Sequence, residues 1–223
     1  LGNLALHDAF GSFRSNLLSL IAPDGALDLY HGALRARDAD GNILFDQVDY
    51  REYERLITEG VKPWSYMKFP YLAALGEEKG WYKVGPLARV QNCTHIPTPL
   101  ADAERRELLD HARASGHGNI LHAPLAYHWA RMIEMLFAAE TIKDLLHDDR
   151  IMGTDLMAVA GERQHEGVGV IEAPRGTLIH HYRVSNDDLV TTANLIVSTT
   201  NNNQAMNTAV REVVKRYLDG REL

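Results

Sequence analysis

A chain of 223 residues with 45% hydrophobic and 24% charged residues has the make-up of a globular protein able to bury a sizeable core. A formal net charge of -7 with no Lys/Arg block argues against a nucleic-acid surface, and no apolar run approaches the roughly 20 residues needed to span a bilayer. Cys93 is the only cysteine, which excludes an internal disulfide framework and favours a reducing compartment.

In chain order, Leu6, Phe10, Phe13, Leu17, Leu18 and Ile21 recur near helical spacing and predict a helix over residues 4–21, stopped at Pro23-Asp24-Gly25. Alternating runs on either side of Asp38-Ala39-Asp40-Gly41-Asn42 predict a β-hairpin with a glycine-containing turn. A short helix is expected over residues 49–59. Trp64 to Tyr71 has no clear period and reads as an ordered loop in which bulky aromatics flank Lys68. Gly85-Pro86 either stops a strand or opens a helix at its first turn.

Pro97-Thr98-Pro99 is a stiff connector before a charged helix over residues 102–115. The plainest helix spans about residues 124–147, with Leu125, Trp129, Met132, Ile133, Leu136, Phe137 and Leu145 expected inside. The last, over about residues 203–218, repeats Ala205, Met206, Ala209, Val210, Val213, Val214 and Tyr217, and one of Asn201 to Asn203 can cap it. Helices mixed with hairpin-connected strands give an α+β fold class, a helix-rich core with short antiparallel hairpins, read as one domain over residues 1–223.

The stretch from Gly167 to Asn203 carries the chemistry. Gly167-Val168-Gly169 is no dinucleotide loop, because Glu172 stands where a third glycine is required. His180 and His181, adjacent on a strand, point to opposite faces and cannot chelate one metal together. His111, His117, His122 and His128 lack a metal-ligand spacing and read as solvated or capping residues. In Glu172-Ala173-Pro174-Arg175-Gly176, Pro174 fixes a backbone angle and Gly176 permits a tight turn, so Arg175 is held at the apex. The guanidinium stays charged and its fork suits anions. Glu172 on the same face would orient it; a hairpin turn with a surface ion pair explains the same residues equally well.

Glu172-Ala-Pro-Arg-Gly176 followed by His180 resembles the EAPRGxxxH motif of nickel–iron hydrogenase large subunits, and Leu195 to Asn201 resembles the segment that follows it there. Lys68-x-Pro70-Tyr71 and Val84-Gly-Pro-Leu-Ala-Arg89 are similar to the family's KxPRY and EVGPLAR segments. The triple asparagine resembles the soluble, cofactor-reducing group, especially its NAD-reducing members. The resemblance implies a hydrogenase large-subunit-like fold and reversible oxidation of dihydrogen coupled to NAD reduction. It also implies a Ni–Fe centre with CN and CO ligands and a cytoplasmic location. The implied partners are an iron–sulfur small subunit, together with a diaphorase module carrying NAD and flavin.

The family holds its metals with two Cys-x-x-Cys pairs, whereas Cys93 belongs to neither, so no metal ligand is expected in this chain. A chain cut inside both motifs, inactive by itself, is the corresponding expectation. By resemblance, Arg175 lies above the open metal position, and it and the backbone near Ala173 and Pro174 face one iron-bound cyanide. Ser198 with the backbone near Ile196 faces the other. His180 partners a metal-bound thiolate, and Glu172 orients Arg175 or relays protons. The alternatives are the related quinone-site subunit of respiratory NADH–quinone oxidoreductase and a metal-free structural fragment.

Overall fold

The structure is a computed structural model and describes residues 10–159 and 161–220. Strand β1 (Asn16–Ile21) is the centre of the architecture, and all six of its side chains are buried. It pairs antiparallel with β2 (Ala33–Arg37), which pairs with β3 (Ile43–Val48) across the predicted hairpin. The Asp38–Asn42 turn closes by two backbone bonds, Asp38 N–H to Asn42 O at 2.9 Å and Gly41 N–H to Asp38 O at 3.1 Å. A single helical turn, α1 (Tyr53–Leu56), leads into the hairpin of β4 (Ile57–Lys62) and β5 (Ser65–Leu72).

After the short α2 (Gly76–Lys79), strand β6 (Tyr82–Lys83) pairs parallel with β1 and completes a four-stranded sheet of order β3-β2-β1-β6. Helices α3 (Pro86–Asn92), α4 (Pro99–Ala114) and α5 (Ala126–Leu146) follow. Next come the three-stranded antiparallel sheet of β7 (Glu166–Ala173), β8 (Gly176–Val184) and β9 (Val190–Ile196), the turn α6 (Ser198–Asn201) and the helix α7 (Asn203–Tyr217).

Two apolar clusters flank β1, as its two-residue side-chain period requires. On one side Ile21 packs with Leu87 and Val90 of α3, Leu108 of α4, and Trp129 and Ile133 of α5. On the other, Leu18 and Leu20 meet Tyr82, Val84, Val170, Ile179 and Ile196, joining the two sheets. α3 is the hinge of this arrangement. All seven of its residues are buried, and Pro86 sits in its first turn, where the missing N–H is no loss.

Several sequence expectations are corrected. The helix predicted over residues 4–21 is a strand at residues 16–21, while residues 4–9 lie outside the described residues. A strand buried on both faces shows a continuous apolar run with no period of its own to betray it. The short helix expected over residues 49–59 is present over 50–56, a 3-10 turn (Tyr50–Glu52) running into α1, but gives way to β4 at Ile57, and the expected loop from Trp64 to Tyr71 is mostly β5. Each of those strands is defined by the other rather than by its own sequence.

The hairpin at Asp38–Asn42 and the three long helices hold, but burial is narrower than the helices' apolar arcs suggest. In α5, Trp129 and Ile133 are buried while Met132 is 55% and Leu145 53% exposed. In α7, Ala205 is buried while Met206, Val210 and Val214 are exposed. No helix among the described residues is long and apolar enough to cross a membrane.

Candidate functional site

The hairpin joining β7 to β8 is as tight as its sequence suggests. Ala173 and Gly176 are cross-strand partners, which leaves Pro174 and Arg175 as the turn. Gly176 has φ +131, and a Cβ there would lie 2.1 Å from Val84 Cγ2 and 2.8 Å from the Gly85 nitrogen. Gly85 has φ +102, and its own Cβ would meet the Arg175 carbonyl oxygen at 3.1 Å. The two glycines thus let the Val84–Arg89 and Glu172–Gly176 segments touch backbone to backbone.

Side chains then fix the turn. Arg89 Nη1 donates to the Ala173 carbonyl at 2.8 Å, Asn202 Nδ2 to the Arg175 carbonyl at 3.3 Å, Ser198 Oγ to the Gly176 carbonyl at 2.7 Å and Asn201 Nδ2 to the Thr177 carbonyl at 2.7 Å. Asn201 Oδ1 accepts from the Tyr82 hydroxyl at 2.5 Å and Asn202 Oδ1 from the Val84 N–H at 3.0 Å, tying α6 to β6. Asn203 Nδ2 donates to the Lys68 carbonyl at 2.8 Å. Asn202 does stand at the N-cap of α7, its carbonyl accepting from the Met206 N–H at 2.8 Å, but the asparagine side chains bridge elements and none makes a cap bond.

Glu172 does not orient Arg175. It is fully enclosed, and its carboxylate accepts from Arg89 Nη1 at 2.9 Å, the Leu20 N–H at 2.8 Å and the Thr177 hydroxyl at 2.8 Å. Strand alternation sends its side chain inward, while Arg175 leaves the sheet at the turn. Burial pushes the Glu172 carboxyl upward, with the Arg89 guanidinium the largest opposing influence. Arg89 also binds Glu134 of α5 in a fork, at 2.6 Å through Nε and 2.7 Å through Nη2. The surface ion pair considered for this turn is thus replaced by a buried Glu134–Arg89–Glu172 network.

Arg175 itself is exposed, and its guanidinium makes no hydrogen bond or ion pair among the described residues. It lines a cavity of about 260 Å³ together with Lys83, Tyr127, Arg131, Thr199 and Asn202. Arg175 and Arg131 border a cavity whose wall is otherwise largely apolar, from Phe13, Pro86, Pro124 and Met206, and no carboxylate among the described residues lines it. Two guanidiniums on one rim suit an anionic group.

Lys83 is nearly enclosed. Its Nζ donates to the carbonyls of Phe13 at 3.2 Å and His122 at 3.1 Å, and it lies 3.9 Å from the Phe13 ring centroid. Burial pushes its amine down to about 7. Between that value and the unfolded value of 10.5, the unfolded chain binds the extra proton, so this group's contribution to stability rises with pH. We expect Lys83→Met to stabilise the chain, relative to wild type, by a few kcal/mol more at about pH 6 than at about pH 10. Urea unfolding across that range measures it; a difference independent of pH contradicts the assignment.

Other residues sit apart. Ile196 is a core side chain whose backbone pairs with Ile179 at the end of β9. The Ser198 hydroxyl has a single proton, committed here to Gly176, so it donates to a ligand only by rotating away. His180 lies on the sheet face opposite the buried His181, hydrogen-bonds Tyr182 through Nδ1 at 3.0 Å and does not line the cavity. His181 is bound by the Tyr53 hydroxyl at 2.9 Å and Glu166 at 2.8 Å.

His122 is neither solvated nor a cap: Nε2 meets the Ala39 carbonyl at 3.0 Å, and burial pushes the imidazole down to about 4. Cys93 is buried in the helical core, and burial pushes its thiol up to about 11, which makes it a structural cysteine. No group of three or more His, Cys, Asp or Glu among the described residues is placed to hold a metal ion. The guanidiniums on the cavity rim fit an anion-bearing centre.

Arg89, Asn201 and Asn202 hold the turn, a role that sequence reasoning misses. The signal is their place in the segments singled out, since buried polar groups demand partners and the turn offers unpaired carbonyls.

A sequence model described as nickel-dependent hydrogenase matches residues 34–212. The NAD-reducing hydrogenase HoxS subunit beta of Cupriavidus necator is 44% identical over 215 residues, covering 96% of this chain and 43% of that protein. An F420-non-reducing hydrogenase (vhc) subunit of Methanococcus voltae is 39% identical over 211 residues, covering 93% and 43%. Among solved structures, an NAD+-reducing NiFe-hydrogenase in the H2-reduced state superimposes with a TM-score of 0.90 at 52% identity, covering 98% of this chain and 48% of that one. A NiFeSe-hydrogenase from Dm. baculatum shares the fold, with a TM-score of 0.60 at 18% identity over 88% and 44%. The chain spans about half the length of the relatives it matches.

Proposed function

Because the chain belongs to the nickel-dependent hydrogenase family, we propose that it is an internal part of the large subunit of a nickel–iron hydrogenase, and that its Pro174-Arg175 turn forms the cover of the metal centre. The full subunit catalyses reversible oxidation of dihydrogen, passing electrons through an iron–sulfur partner and then a diaphorase module to NAD in the cytoplasm. The single observation that carries this reading is an unpartnered Arg175 guanidinium on a turn whose carbonyls at Ala173, Arg175, Gly176 and Thr177 are all held from behind. The relatives' names favour hydrogenase over the quinone-site alternative, and NAD is taken from the 44% identical relative.

The Ni–Fe centre, with its cyanide and carbonyl ligands, supplies heterolysis of dihydrogen when bound. This chain's residues supply the surroundings. Arg175 presents a permanent cation to an anionic acceptor from a turn whose backbone is already held. The guanidinium keeps its proton, so Arg175 acts electrostatically and is not the base. Ser198 and the backbone near Ile196 would meet a second cyanide after rotation of the hydroxyl from Gly176. His180 Nε2 has no partner among the described residues and can receive a thiolate contact from another segment. By the same reading, the backbone near Ala173 and Pro174 would face the first cyanide.

The full-length protein, purified with its partner subunits, should reduce NAD+ under H2. Reduction of a quinone without any H2 oxidation by the matured complex would overturn the reading.

A further inference from the structure

We infer that Arg89 is a positioning residue for Arg175, setting the height and tilt of the turn that faces the metal centre; this rests on the hydrogenase reading above. Arg89 lies in α3, and its side chain is 2% exposed although it carries a charge. All three guanidinium nitrogens are used. Nε and Nη2 form a fork with Glu134, while Nη1 divides between the Glu172 carboxylate and the Ala173 carbonyl. The Ala173–Pro174 peptide unit has no N–H of its own to anchor it, and Arg89 reaches it through the Ala173 carbonyl.

Geometry makes the guanidinium hard to replace. A carboxylate fork from α5, a carboxylate from β7 and a carbonyl at the turn converge on one planar group, which an ammonium on a shorter reach cannot satisfy together. The network is closed on the far side as well, because Glu172 is held by the Leu20 N–H of β1 and by Thr177. Helix α5, the central strand and the turn are thereby fixed to one another through a single side chain. Arg89 does not line the cavity and makes no bond to the Arg175 guanidinium, so its effect passes through the backbone of Ala173 and Pro174.

The test uses the full-length, metal-loaded enzyme with its partner subunits, comparing Arg89→Lys and the milder Glu134→Gln with wild type. The readouts are nickel and iron content, cyanide infrared bands, and kcat and KM for H2 per loaded nickel. Positioning predicts that molecules which load show displaced cyanide bands, a kcat lowered at least about tenfold and a KM little changed. It also predicts that Arg89→Lys adds little to Arg175→Lys in the double variant. A merely structural role predicts lower metal content and stability, with unmoved bands and wild-type turnover in the loaded fraction. That result overturns the inference. Should Arg89→Lys not load, Glu134→Gln decides by the same bands. If wild type shows no cyanide bands at all, the hydrogenase reading fails, which is distinct from failure of the Arg89 role.

Discussion

Gly176→Ala is expected to destabilise the chain by about 3 kcal/mol or more, among the largest effects of any single methyl group here. Two costs combine. At φ +131 an L side chain is strained, and the new Cβ would overlap Val84 Cγ2 at 2.1 Å and Val84 Cβ at 2.7 Å. Relief by moving Val84 is blocked, because the Gly85 nitrogen stands 2.8 Å away and Asn202 holds the Val84 N–H. Gly167→Ala is the control within the same hairpin. A Cβ at Gly167 would meet nothing within 4 Å, so a change within about 1 kcal/mol is expected. Denaturant unfolding of both variants measures the contrast, and equal stabilities would mean that the two motifs do not pack backbone to backbone.

Arg175→Lys in the full-length enzyme should leave metal loading largely intact and lower turnover by at least about tenfold, roughly 1.4 kcal/mol in the barrier. Loading survives because Arg175 anchors nothing: the turn is held by Arg89, Ser198, Asn201 and Asn202, and the guanidinium has no partner among the described residues. Turnover falls because lysine presents a point charge on a flexible stem where arginine presents a planar fork. Nickel content measured beside H2 oxidation separates the two effects. Full activity in a nickel-loaded Arg175→Lys enzyme would refute the electrostatic role.

The hairpin at Asp38–Asn42, the long helices α4, α5 and α7 and the turn at Pro174-Arg175 were legible because each announces itself locally. Strand β1 was not, since a run buried on both faces looks the same whether it is a helix or a strand. β4 and β5 were lost for a related reason, as only their mutual pairing defines them. The apolar arcs of α5 and α7 were read correctly as apolar but not as unburied. Met132, Leu145 and Val210 face away from the described residues, in a chain about half as long as its relatives.

Within the site, sequence proximity suggested Glu172 as a partner for Arg175. The structure gives it to Arg89, 83 positions away. Such pairings follow from which face a strand buries, and no local pattern reveals them. The triple asparagine shows the same limit. Its composition suggested a helix cap, while the fold uses Asn201 and Asn202 to bind the Thr177 and Arg175 carbonyls. What reads in sequence as a site made by one stretch is a turn built from three segments, with Arg175 the part left free.

On the proposed reading, this free arginine belongs to the cover of a metal centre whose ligands lie in other segments. Metal content and the infrared spectrum of the matured full-length protein test it most directly. Nickel and iron together with cyanide and carbonyl stretching bands are the expected result. A correctly folded, matured protein without nickel and without those bands would contradict it.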